Sequence, residues 1–278
     1  MQRLETRVFV VVLACLALAA SAFVPSAQGA AVDLANCELV DLTHSFNDKT
    51  LFWPTSPTTF HLEQLQHGMT PGGWFYAANS FSMPEHGGTH MDAPIHFYEK
   101  GQTADQVPLE RLVAPAVVID VASAAQANAD YRLSEADVAA FEKQHGRIPR
   151  GAIVLLHTGW DRRWPDRKAY FGDDTPNDAS KLHFPSFGVE SARLLIDGRG
   201  AVAIGLDTPS IDYGATKDFP VHRFAFERNV PGFENLSALD RLPATGAFVI
   251  ALPMKIEGGS GGPLRAIALV PRAKKVTP

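Results

Sequence analysis

Residues 116–156 read AVVIDVASAAQANADYRLSEADVAAFEKQHGRIPRGAIVLL. Two apolar runs, Ala116–Val121 and Ala152–Leu156, bracket a polar stretch. Short runs rich in valine and isoleucine mark buried strands. Between them, Ser134 to Gln144 has the spacing of a helix. Ser134 stands as cap with Asp137 three residues on, a capping-box variant. Val138 and Phe141 fall on one face, and Gly146 supplies a stop. Further out, Leu39–Leu42, Ala201–Gly205, Ala247–Leu252 and Leu264–Leu269 read as strands. Gly188–Ile196 reads as a helix with Val189, Ala192, Leu195 and Ile196 inward. Thr50–Thr59 reads as a loop around Phe52-Trp53, and Pro71-Gly72-Gly73 as a turn. Strands outnumber helices and alternate with them only in part. That predicts an α/β domain with a mixed β-sheet rather than a doubly wound fold.

Bulk properties limit the options. A chain of 278 residues, 46% of them apolar, fits one domain and can bury its core without disulfides or a structural metal. Any metal site is therefore expected to be catalytic. The N-terminus has the order of a secretory leader: Arg3 and Arg7, an uncharged apolar run from Val8 to Ala22, then Ala27-Gln28-Gly29. The run is short for a spanning helix, which needs roughly 20 residues. Residues 1–29 are thus expected to be removed, leaving a domain over 30–278 in a secreted or periplasmic protein with no stable membrane anchor. Cleavage would remove Arg3, Glu5 and Arg7 and make a formal charge of −5 one unit more negative. With no basic patch before Arg272-Ala-Lys-Lys275, nucleic acid is not an expected partner. Once Cys15 leaves with the leader, Cys37 stands alone, so no internal disulfide is expected.

The chemistry lies in Glu85-His-Gly-Gly-Thr-His-Met-Asp-Ala-Pro-Ile-His96. Three of the ten histidines fall between His86 and His96, spaced H-x3-H-x-D-x3-H around Asp92. Nitrogen and oxygen donors without thiolate suit zinc, manganese, iron or cobalt. Gly87, Gly88 and Pro94 argue against a helix here. In an extended stretch after Gly88, His90, Asp92 and His96 share one face, and the glycines let His86 fold back toward them. Downstream, Val221 to Glu234 carries His222 and Glu234, a weak pair by itself. Asp207 in Gly-Leu-Asp-Thr-Pro209 follows a strand, where it serves either a site or a turn.

The run His86 to His96 resembles the signature of the cyclase family of metal hydrolases, whose members include bacterial kynurenine formamidase and isatin hydrolase. The resemblance spans roughly Leu39 to Leu269, with support from Phe52-Trp53-Pro54, Gly205-Leu-Asp-Thr-Pro209, the His222 and Glu234 pair and Ala251-Leu-Pro-Met-Lys255. It implies a compact α/β domain with the swivelling β/β/α fold, assembled as a homodimer or larger. It implies His86, His90 and Asp92 as ligands of a first metal. Asp92 would bridge to a second metal held with His222 and Glu234. It implies His96 as the catalytic acid/base and Trp53 as the aromatic that packs on the substrate ring. The cofactor would be Zn2+ or Mn2+, one or two ions per chain. Segments Ser123–Arg150 and Trp160–Phe187 are long for a minimal kynurenine formamidase and resemble the isatin-hydrolase-like members more. A leader is at odds with tryptophan catabolism inside the cell.

The expected activity is hydrolysis of the C–N bond of a small aromatic amide, of the arylformamidase type acting on N-formylkynurenine. Opening of a cyclic amide such as isatin is the first alternative, and a secreted metal-binding protein without catalysis is the second. His96 would carry the proton from water to the leaving nitrogen, since its pKa lies near working pH. Phe52 and Trp74 are further aromatics near the motif, and core packing is the expected role for Trp74. His157 is expected to be structural, at a strand end. His183 is a weak candidate for substrate contact.

Overall fold

The structure, a computed structural model, describes residues 34–272; the leader expected over 1–29 and the basic tail after Arg272 lie outside the described residues. The strands are β1 (Cys37–Asp41), β2 (His61–Met69), β3 (Phe75–Ser82), β4 (His90–Asp92), β5 (Val113–Asp120), β6 (Arg132–Leu133), β7 (Ile153–His157), β8 (Ser186–Phe187), β9 (Ala203–Leu206), β10 (Gly232–Glu234), β11 (Thr245–Pro253) and β12 (Gly261–Pro271). The helices are α1 (Ala122–Ala127), α2 (Glu135–His145), α3 (Arg167–Phe171), α4 (Val189–Arg193) and α5 (Pro220–Phe226).

Eight strands form one mixed sheet in the order β1-β12-β11-β5-β7-β9-β10-β4, and β4 pairs back onto β12, so the sheet closes like a barrel. The β5–β7, β7–β9 and β9–β10 pairs are parallel, and the other pairs of this sheet antiparallel. The mixed α/β architecture expected from the sequence is therefore present.

Side-chain alternation divides the core. Along β5, Val117 and Ile119 face α2, α4 and α5, while Ala116 and Val118 join the cluster inside the sheet. Along β7, Val154 and Leu156 face the helices, and Ile153 and Leu155 face inward. Strands covered on both sides read as continuous apolar runs, which is why these two stand out in the sequence. Truncating fully buried Leu155 to alanine would cost about 2–5 kcal/mol. The capping box of α2 is formed: the Asp137 N–H donates to Ser134 Oγ at 3.2 Å, and the Ser134 N–H to Asp137 Oδ2 at 2.8 Å. Such a cap contributes about 0.5–2 kcal/mol. The helix after Gly188 runs as α4 and widens into a looser turn over Leu194–Gly198.

Two features position the site or project from the fold. Segment 160–187 supplies a third apolar cluster, Trp160, Tyr170, Phe171, Leu182 and Phe184 with Leu51, and Trp53 packs on it. Strands β2 and β3 form a separate two-stranded ribbon whose side chains are largely exposed. The sequence reading found only its turn. The ribbon is polar on one face, and a bulge between Gln64 and Gln66 breaks the alternation that would have marked β2. Trp74 is not a core residue: it lies at the turn end of the ribbon, 62% exposed, folded over Gly72. Among the described residues no helix is long and apolar enough to cross a membrane.

Candidate active site

Two three-residue strands build the centre of the site. Antiparallel pairing of β4 with β10 sets His90 opposite Glu234 and Asp92 opposite Gly232. Directly opposed residues share a face of the sheet, so this register alone puts an imidazole beside a carboxylate. His90 and Asp92 share a face as the extended reading requires. His96 arrives differently: Pro94–His96 is a single 3-10 turn, so its ring reaches the site by chain reversal and not by strand alternation. Gly88 has φ +58, which a side chain rarely adopts, and this lets the chain turn back between His86 and His90. At Gly87 a Cβ would collide with the Phe52 ring. That close approach forms a β-bridge between Phe52 and Gly87 and brings the neighbouring Trp53 to the site.

His86, His90, Asp92, His96, His222, Glu234 and Trp53 all line one cavity of ≈ 250 Å³. Asp92 is the hub. Its Oδ1 lies 2.6 Å from His86 Nδ1 and 3.1 Å from His90 Nε2, and its Oδ2 lies 3.0 Å from His222 Nε2. Glu234 lies 3.3 Å from His222 Nε2 and 3.6 Å from His90 Nε2, and it accepts the Ile211 N–H at 2.8 Å. The two oxygens of Asp92 thus face different ligand groups, as a bridging carboxylate requires. By ligand-atom spacing, His90, Asp92 and Glu234 form one group able to hold an ion, and His86, Asp92 and His96 another. His96 is therefore close enough to be a ligand as well as a base. Its ring stacks on His86 at 3.8 Å.

The donor set fits a divalent cation. Asp92 and Glu234 are 1% and 4% exposed, and the cavity lining contains no lysine or arginine. Burial raises the Glu234 pKa first, and the nearby Asp92 charge raises it further. Burial opposes ionisation of Asp92 too, but His86 and His90 hold it well below the usual carboxylate range. The same carboxylates act on the histidines. Burial would lower the His90 pKa, but Asp92 and Glu234 outweigh it and raise the value. For His222, burial is outweighed by hydrogen bonds to Asp212, Asp92 and Glu234, which raise it well above 6.5. In each ring Nδ1 has another acceptor, Gly88 O at 3.0 Å for His90 and Asp212 Oδ2 at 2.7 Å for His222. Nε2 of both rings faces the carboxylates, the orientation in which a histidine whose Nδ1–H is held by an acceptor ligates a metal once Nε2 is deprotonated. Burial lowers the His96 pKa to about 3, against the pull of Asp92, so its imidazole is neutral and does not titrate near working pH as the sequence reading expects.

Several participants escaped the sequence reading. Asp212 accepts the Val221 and His222 N–H groups, each at 2.9 Å, as well as the His222 ring. Glu85 accepts the Ser260 hydroxyl at 2.6 Å, and Ser260 Oγ lies 2.8 Å from His86 Nε2. Asn235 lines the cavity and donates to Gly88 O at 2.8 Å. The apolar wall comprises Leu51, Phe52, Trp53, Phe97, Phe171 and Phe219. Trp53 stands edge-on to Phe171 and Phe184 at 6.4 and 6.3 Å. Phe219 has φ 46 and ψ 56, a conformation that costs a bulky residue about 1–3 kcal/mol.

Other sequence candidates lie elsewhere. Asp207 is fully buried and accepts the Thr158 hydroxyl and the Gly159 N–H at 2.6 and 2.8 Å, so its role is to brace a turn. His157 ends β7 and lies 3.2 Å from Asp120. His183 pairs at the surface with Asp130 and does not line the cavity.

A closed mixed sheet with a buried imidazole–carboxylate cluster at its β4–β10 seam defines the class of protein. The family profile described as "Putative cyclase" matches residues 40–213. Isatin hydrolase of Roseibium aggregatum is 38% identical over 206 residues, covering 72% of this chain and 78% of that protein. Kynurenine formamidase of Salinibacter ruber is 28% identical over 234 residues, covering 82% and 96%. The solved structure of isatin hydrolase A from Labrenzia aggregata bound to benzyl benzoate superposes with a TM-score of 0.78 at 33% identity, covering 86% of this chain and 95% of that one. The chain belongs to the cyclase family.

Proposed function

We propose that this protein is a metal-dependent hydrolase that opens the C–N bond of a small, flat, cyclic aromatic amide of the isatin type. One observation carries the reading: a single cavity sets buried carboxylates and histidines against an aromatic wall and has no lysine or arginine in its lining. An uncharged bicyclic amide suits that lining. N-formylkynurenine carries an α-carboxylate that would find no lysine or arginine there, so the cyclic amide is preferred to the formamide. The higher identity to an isatin hydrolase than to a kynurenine formamidase supports the same choice.

His90, Asp92, His222 and Glu234, with His86, would hold one or two ions, zinc or manganese by donor type. When bound, such an ion polarises a carbonyl and brings the pKa of water toward neutral. The chain's own residues do the rest. Trp53 and the neighbouring rings orient the substrate ring, and Leu51 and Phe52 keep bulk water from the reacting carbonyl. Neutral His96 takes a proton from water as its oxygen bonds to the carbonyl carbon. The C–N bond then breaks, and His96 returns the proton to the nitrogen. The products are a carboxylate and an aromatic amine.

Export rests on the leader sequence alone and is proposed on that basis. Self-association is proposed on the exposed ribbon. The activity is tested by assaying isatin and N-formylkynurenine side by side, with enzyme loaded with zinc and with manganese. Faster metal-dependent turnover of isatin is expected. Preference for N-formylkynurenine would restore the formamidase reading. Tight metal binding without turnover of either substrate or of other amides, lactams and lactones would favour a non-catalytic metal-binding protein.

A further inference from the structure

Phe219 breaks three local rules at one position. It is the N-cap of α5, where serine, threonine, asparagine or aspartate would normally accept a backbone N–H, and its side chain makes no cap hydrogen bond. It holds a left-handed conformation, φ 46, that glycine or asparagine adopts with less strain. It also precedes Pro220, and proline pushes the residue before it toward extended backbone. The backbone is pinned there: its N–H donates to Thr216 Oγ1 at 3.1 Å, and its carbonyl accepts the Arg223 N–H at 3.1 Å.

Core burial does not account for this. The ring is only partly buried and belongs to none of the three apolar clusters, whereas Val221, Phe224, Ala225 and Phe226 of the same helix are core residues. The ring instead lines the cavity, 5.0 Å from Phe97, 6.4 Å from Trp53 and 5.9 Å edge-on to His222. It joins the aromatic wall to the imidazole floor. Conflicts between local preference and fold concentrate at functional positions.

We propose that Phe219 is a specificity-determining residue whose ring, with Trp53, forms a slot that selects planar aromatic substrates. This rests on the aromatic-amide reading of the cavity. The strain at Phe219 is then maintained for ligand shape and not for folding.

The test uses Phe219→Gly, Phe219→Leu and Phe219→Tyr in the full metal-loaded protein. Phe219→Gly suits the backbone and is expected to keep wild-type metal content and a thermal midpoint equal to or above wild type. Its KM for isatin should rise at least tenfold, with kcat changed less than threefold. Phe219→Leu should share the KM defect, and Phe219→Tyr should rescue it. Binding of isatin, followed by stopped-flow quenching of tryptophan fluorescence before the first turnover, is measured in parallel. Loss of binding in Phe219→Gly alongside an inactive wild type would sink the hydrolase reading and leave the slot standing. The slot is overturned if the glycine and leucine variants bind isatin like wild type, if wild type binds no isatin, or if Phe219→Gly loses metal and thermal stability together.

Discussion

Asp212 Oδ2 lies 2.7 Å from His222 Nδ1 and, in the same geometry, accepts the His222 backbone N–H at 2.9 Å. One buried carboxylate thus fixes both the start of α5 and the tautomer of the ring it presents. With Nδ1 committed as a donor to Asp212, Nε2 is aimed at the side of the cavity occupied by Asp92 and Glu234. His90 solves the same problem with a backbone carbonyl, Gly88 O. The two histidines are poised alike by unlike means, and only the second is encoded within the motif.

Asp212→Asn should separate orientation from coordination. The amide keeps the shape but loses the charge that favours Nδ1–H. Outer-sphere partners of ligating histidines typically contribute 10–100-fold in metal affinity. Metal titration by competition with a chelator should show a loss in that range, and His90→Ala should lose more. Unchanged affinity in Asp212→Asn would show that the helix alone orients His222.

Asp92 and His96 divide metal binding from proton transfer.

 Asp92→Ala removes the hub that faces three histidines and should abolish both metal binding and turnover. His96→Ala should retain metal through the remaining donors and lower kcat by about 10²–10⁴, the usual range for a general acid–base residue. Metal content by elemental analysis and turnover are read on the same samples. Loss of metal in His96→Ala would instead place His96 among the ligands, as its spacing to His86 and Asp92 allows.

How far the sequence could be read follows from where each contact is made. The span from His86 to His96 was legible because its donors sit close together and its glycines exclude a helix. The strands β5 and β7 were legible because burial on both sides makes them continuous apolar runs. His222 and Glu234 carry no strong local pattern; they stand out only as a weak pair, and their role as ligands rests on family resemblance. Their convergence depends on the pairing of β4 with β10, strands of three residues each, too short to show a period. Asp212, Ser260 and Asn235 act through tertiary contacts, so nothing in their neighbourhood announces them. The ribbon was missed because its bulge shifts the alternation in mid-strand.

His44 should make stability depend on pH. Its ring stacks on Trp164 at 4.3 Å, and its buried Nε2 has no hydrogen-bond partner among the described residues. Burial lowers its pKa from 6.5 to about 4, against the attraction of Asp161. The folded state therefore binds this proton more weakly than the unfolded chain. The stabilising contribution is present above pH 6.5 and is lost as pH falls toward 4. At pH 4.5 the loss would be about 2–3 kcal/mol. His44→Phe keeps the stack and cannot titrate. Urea unfolding between pH 7.5 and 4.5 should show a shallower decline for the variant than for wild type. Parallel declines would place the acid sensitivity elsewhere.

The ribbon makes the last prediction. Leu62, Leu65, Met69, Trp74, Phe75, Tyr76 and Phe81 are each at least 50% exposed, a concentration that the rest of the described surface does not match. Leu62 pairs with Phe81 and Met69 with Phe75, so apolar pairs occur at both ends of the ribbon. An isolated two-stranded ribbon is marginal in water. At roughly 200 Å² per large side chain, these residues offer on the order of 800 Å², about what one partner contributes to a standard interface. A second copy of the chain is the expected occupant, because a symmetric pair buries the same apolar face on both sides. Sedimentation velocity should give a dimer or larger assembly for the protein comprising residues 30–278. Replacing Trp74 and Phe75 together with serine should shift it toward monomer while the fold, read by far-UV circular dichroism, persists. A monomeric wild type at micromolar concentration would leave the ribbon without this role.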